Sequence, residues 1–84
     1  METILVIKTF AQVREVSGEG ELEFSLDAHK TIADVLLSLK AKNEKWALAL
    51  DGTVICAKNQ QLCTPDTPIA AGDEVAFFPP VTGG

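Results

Sequence analysis

One stretch of the chain carries a clean helical period, and the segments around it are short runs of strand character. Ile32, Val35, Leu36 and Leu39 fall at i, i+3, i+4 and i+7, the spacing of a single buried stripe. Thr31 precedes the stripe as an N-cap, and Asp34 follows three residues later as a weaker form of the capping box, near the positive helix end. Lys40 and Lys42 suit the C-terminal turn. Such a stripe must be covered by another layer. Ile4 to Phe10 reads as a strand, and in Glu21 to Leu26 acidic and apolar residues alternate, as in a strand with one wet face. Val54 to Lys58, Gln61 to Thr64 and Glu74 to Phe78 complete the set. Gln12 to Gly20 is expected to be a loop, and Asp51-Gly52, Asn59-Gln60, Pro65 to Pro68 and Ala71 to Asp73 are expected turns. Trp46 to Leu50 is apolar but too short to type by pattern, with Trp46 expected as a lid on the core.

Strand, strand, helix, strand, short strand, strand is an α+β order. One helix on one mixed sheet gives a two-layer domain. A starting hairpin, a right-handed crossover and a last strand beside the first give the ubiquitin-like β-grasp. Residues 1–78 are expected to form that domain and residues 79–84 a flexible C-terminal tail. At 84 residues the chain is one domain that buries about 60 to 65% of its unfolded surface. Its net charge of −5 comes without any Lys or Arg cluster, which argues against nucleic acid or an anionic membrane as partner. Ile4 to Ile7 is far too short for a signal peptide or a membrane span, so a cytoplasmic location is expected. Cys56, Cys63 and the single His29 fall short of a zinc ligand set, and no metal site is expected. A turn at Asn59-Gln60 would set the two cysteines opposite each other, where a disulfide is geometrically conceivable but disfavoured in a reducing cytoplasm. His29 reads as solvated.

The sequence ends Pro79-Pro80-Val81-Thr82-Gly83-Gly84. Prolines hold the backbone extended, and glycines let it approach a ligand or channel wall closely. Six residues reach at most ~20 Å. These features fit a chain whose own terminal carboxyl is a chemical group that threads into another protein. An ordinary frayed terminus fits the tail equally well.

Strand parity supplies independent information. Lys8 shares a face with Val6 and Phe10, and a lysine belongs outside, so Phe10 is expected at the surface. In the last strand Glu74, Ala76 and Phe78 share a face, which puts Phe78 outward and Phe77 inward. With the two strands adjacent, both rings lie side by side outside the sheet, and Leu62 extends the patch. An apolar patch beside a reactive tail marks a protein-docking site. Arg14 offers a polar contact at its rim.

The final run from Gly72 to Gly84, GDEVAFFPPVTGG, resembles the C-terminus of the molybdopterin synthase small-subunit family, and the similarity continues at Phe10 to Glu15 and Lys45 to Leu50. The resemblance implies a sulfur carrier for molybdenum cofactor synthesis, non-catalytic on its own and binding no cofactor. An ATP-consuming adenylyltransferase like the ubiquitin-activating enzymes would join AMP to the Gly84 carboxylate, and a sulfur donor would displace AMP to leave a thiocarboxylate. The tail (Val81, Thr82, Gly83) would then thread into the large subunit, where the sulfur attacks cyclic pyranopterin monophosphate to build the dithiolene. The implied assembly has two large and two small subunits, docked through Phe10, Leu62 and Phe78. Three alternatives remain: a carrier for thiazole or transfer-RNA thiolation, a ubiquitin-like modifier of lysines, and a plain β-grasp interaction module with an inert tail. An iron–sulfur β-grasp protein is excluded, because a cluster wants four cysteines and the chain has two.

Overall fold

The computed structural model describes residues 4–26, 30–52 and 54–80. Five strands form one mixed sheet in the order β2-β1-β5-β3-β4. They are β1 (Ile4–Thr9), β2 (Glu21–Ser25), β3 (Ile55–Lys58), β4 (Gln61–Cys63) and β5 (Glu74–Phe78). β1 pairs antiparallel with β2 and parallel with β5, the arrangement expected of a β-grasp.

Helix α2 (Ile32–Lys42) starts where the capping residues placed it: Thr31 Oγ1 accepts from the Asp34 N–H at 3.4 Å, and Asp34 Oδ2 accepts from the Thr31 N–H at 3.1 Å. Its buried residues are Ile32, Val35 and Leu39; Leu36 is only partly covered. They meet Leu5, Ile7, Val75 and Phe77 of the inner sheet face in the core cluster. That cluster also holds Trp46, which is fully buried as the lid the sequence suggested.

Two further helices complete the layer. α3 (Glu44–Ala49) resolves the untyped segment around Trp46, with Asn43 Oδ1 capping the Trp46 N–H at 2.9 Å. α1 (Ala11–Ser17) corrects the expected loop at Gln12 to Gly20, where only Gly18 to Gly20 stays irregular. The cause is local. Ala11 takes φ 52°, so the chain leaves β1 abruptly and turns Val13 and Ser17 into the interior; Gly18 at φ 79° ends the helix. Two turns of AQVREVS bury too few apolar residues to show a period in the sequence.

The β3–β4 turn has Asn59 at φ 51° and Gln60 at φ 70°, the paired positive values of a type I′ hairpin. It sets Cys56 opposite Cys63, with sulfurs 3.8 Å apart and both thiols free. Burial pushes the Cys56 thiol from 9.0 up to about 11, helped by its hydrogen bond to Cys63. Trp46 Nε1–H donates to Glu19 Oε2 at 2.7 Å, so the loop after α1 closes over the ring, and Lys42 approaches the same oxygen at 3.5 Å. No described helix is long and apolar enough to cross a membrane, and no described group of His, Cys, Asp and Glu could hold a metal. His29 and the tail residues Val81, Thr82, Gly83 and Gly84 lie outside the described residues.

Candidate docking face at the tail root

Register builds the outer face row by row. Lys8 of β1 lies beside Ala76 of β5, so the residues two further along, Phe10 and Phe78, come level. Their rings stack with centroids 5.0 Å apart and planes within 10°. Phe78 in turn faces Ile55 of β3, while Ala76 faces Ala57 and Ala57 faces Leu62 of β4. One row therefore reads Phe10, Phe78, Ile55, and the next Lys8, Ala76, Ala57, Leu62. The two alanines are the reason this face is flat: they are small enough to be covered by their neighbours and form a floor beneath the larger groups. Phe77, one residue from Phe78, is fully buried.

The two most exposed apolar side chains of this face are Phe10 (43%) and Leu62 (76%). Together with Ala11, Ile55, Phe78 and Pro79 they line a depression of about 370 Å³ at the end of β5. A soluble chain gains nothing from presenting such a surface unless something covers it. The Phe10 N–H donates to the Phe77 carbonyl at 3.2 Å, which ties the start of α1 to the last strand. Arg14 lies on α1, not in a loop, and its guanidinium passes over Gly20: a Cβ there would sit 2.9 Å from Arg14 Nε. The glycine leaves room for the guanidinium, and Arg14, Gly20 and Phe10 line one depression.

Charge frames the patch on one side. Lys8 pairs with Glu74 at 3.4 Å, and the β2 residues aligned with Lys8 and Val6 are Glu21 and Glu23. Both glutamates are exposed, so the face grades from apolar at β5–β3–β4 to acidic at β2. This is the composition of an interface core with a polar rim.

Sequence parity thus put Phe10 and Phe78 on one face, strand pairing brings the expected extension Leu62 onto it, and Arg14 reaches its edge. Ile55, Ala57 and Pro79 were missed as members. The signal was available for Ile55, which shares the outward parity of Ala57 once β3 is set against β5; without strand order it could not be used.

Comparison with known proteins gives a consistent picture. The ThiS family matches residues 7–84. The molybdopterin synthase sulfur carrier subunit of Escherichia coli (strain K12) is 49% identical over 76 residues, covering 89% of this chain and 93% of that protein. The protein of the same description from Haemophilus influenzae is 43% identical over 82 residues, covering 96% and 100%. Among solved structures, the crystal structure of SAMP1 from Haloferax volcanii superposes with a TM-score of 0.80 at 28% identity, covering 96% of this chain and 99% of that one.

Proposed function

The chain belongs to the ThiS family, and from that premise we propose that it is the sulfur carrier of a molybdopterin synthase, with Gly84 as the sulfur-bearing residue. The observation that carries this reading is the stacked Phe10–Phe78 pair, held outward on a rigid sheet directly at the root of the tail.

A carboxylate is a poor electrophile because its oxygen leaves badly. In the proposed cycle the Gly84 carboxylate attacks ATP within an activating partner, pyrophosphate leaves, and the resulting acyl-adenylate carries AMP as a good leaving group. A donor sulfur displaces AMP. The thiocarboxylate so formed is anionic at neutral pH and nucleophilic, as a low-pKa thiol is. Val81, Thr82 and Gly83 thread the large subunit's channel, where the sulfur attacks cyclic pyranopterin monophosphate. Water then cleaves the bond from the Gly84 acyl carbon to sulfur, which leaves the sulfur on the pterin and restores the Gly84 carboxylate. Two loaded carriers supply the two sulfurs of one dithiolene, in keeping with two carriers and two large subunits per assembly. The carrier contributes position rather than acid, base or metal. Docking through Phe10, Leu62, Phe78 and Arg14 turns tail delivery into an intramolecular event, and its effective concentration drives the transfer. These steps belong to the cytoplasm, where thiols stay reduced.

Carriers for other thiolation pathways and ubiquitin-like modifiers share this chemistry up to the acceptor. Identity of 49% to a molybdopterin synthase sulfur carrier subunit favours the pterin acceptor. Removal of Gly84 tests the reading. Large-subunit binding should persist while sulfur transfer stops; transfer at the full rate without Gly84 would refute it.

A further inference from the structure

The tail root borders a second, separate concavity. Pro79 lines the outer depression beside Phe10 and Phe78, and it also lines a cleft of about 130 Å³ between α1 and α3. Val16 of α1, Leu48 of α3 and Pro80 contribute apolar groups to the walls of that cleft, and Gln12 and Asp51 line it as well. The volume approaches the ~150 Å³ cavity that admits a benzene ring, so it suits one long side chain. Leu48 is 68% exposed here, an apolar group that the fold itself leaves uncovered. Asp51 takes no part in the ion pairs Lys8–Glu74, Lys42–Glu19 and Lys58–Asp73.

We propose that the α1–α3 cleft continues the docking surface around the tail root and receives an Arg or Lys side chain of the synthase large subunit. The inference rests on the sulfur-carrier reading. Continuity through Pro79, which lines both, makes the two concavities one surface. Apolar walls and an acid on one cleft match a side chain with an aliphatic stem and a cationic head, which covers Leu48 and meets Asp51. The carrier's net charge of −5 favours such a donor over a neutral or acidic one. A partner gripping both sides of the root would fix the direction in which the tail enters its channel.

Leu37 of α2 is 67% exposed, equal to Leu48, and is not among the residues lining the cleft, which makes it an internal control. Affinity of the full-length carrier for the purified large subunit is measured by calorimetry for wild type, Leu48→Ser, Asp51→Asn and Leu37→Ser, with thermal melts of each free variant. Leu48→Ser and Asp51→Asn should each weaken binding about 5- to 10-fold with melting unchanged, the Asp51→Asn deficit shrinking in 1 M salt, where screening acts within ~3 Å. Leu37→Ser should stay within about twofold, the level expected of an uninvolved surface site. Leu48→Ser equal to Leu37→Ser would overturn the cleft. A loss at Leu48 without one at Asp51 would overturn the cationic occupant, and losses seen only with the activating enzyme would overturn the large subunit as partner. Wild-type protein that binds neither partner would instead refute the sulfur-carrier reading, and the cleft with it.

Discussion

Phe77→Ala and Phe78→Ala differ by one position and should fail in different ways. Phe77 is fully buried between the sheet and α2's layer, so truncation removes its transfer free energy and leaves a cavity, about 3–5 kcal/mol in all. A domain of this size holds roughly 4 to 12 kcal/mol at ~0.05–0.15 kcal/mol per residue, so Phe77→Ala loses a large share of its stability. Phe78 is only partly covered, and its chief intramolecular partner is the stacked Phe10 ring. Aromatic pairs contribute about 0.5–1.5 kcal/mol beyond area burial, and partial burial adds about one more at ~25 cal/mol/Å². The free carrier should therefore lose about 1.5–2.5 kcal/mol. In the proposed complex the same ring would sit at the centre of the patch, where truncated aromatics cost at least ~2 kcal/mol of binding, about 30-fold in Kd. Urea melts give the first quantity and calorimetry against the large subunit the second. If Phe78→Ala destabilises the carrier as much as Phe77→Ala does, or leaves affinity within threefold, the outward assignment of Phe78 is wrong.

Other expectations are independent of the partner. Gln60→Gly, which gives the type I′ turn its favoured Asn-Gly pair, should raise stability by about 0.5–1 kcal/mol in a urea melt; a loss would show that Gln60's positive φ carries no strain. Glu19→Gln should lower the midpoint measurably, because the Trp46 indole Nε1–H loses a charged acceptor. An unchanged midpoint would show that this loop contact is energetically silent. The Cys56 thiol is held near 11 in the fold against 9.0 outside it, so above pH 9 the unfolded chain releases its proton first. Its contribution is fully present below pH 9 and is lost between pH 9 and 11. The wild type should lose more stability than Cys56→Ala across that window, and parallel curves would refute the assignment.

How much of this was legible in the sequence depends on how long each pattern ran. α2 announced itself because four apolar residues kept one period and Thr31 and Asp34 marked its start. The strands did so because Glu21 to Leu26 alternates, Glu74 to Phe78 is a short apolar run behind a turn, and a single charged residue, Lys8, was enough to orient β1. α1 was illegible because its direction is set by one residue, Ala11 in a left-handed conformation, which no propensity scale anticipates in alanine. Trp46's partner was equally hidden: Glu19 lies 27 residues away and meets it only through the tertiary structure. For the docking face, parity gave the rings, but the alanine floor and Ile55 needed the order of β1, β5 and β3. Pro79's place between two concavities is a purely three-dimensional fact.

Sulfur loading at Gly84 is measured most directly by intact mass spectrometry after incubation with the activating enzyme, ATP and a sulfide source. The spectrum should show one oxygen replaced by one sulfur, with fragmentation placing the change at Gly84 and no change in a protein lacking that residue. A mass that stays constant, or a carrier recovered only in isopeptide linkage to lysines of other proteins, would contradict a role in sulfur delivery.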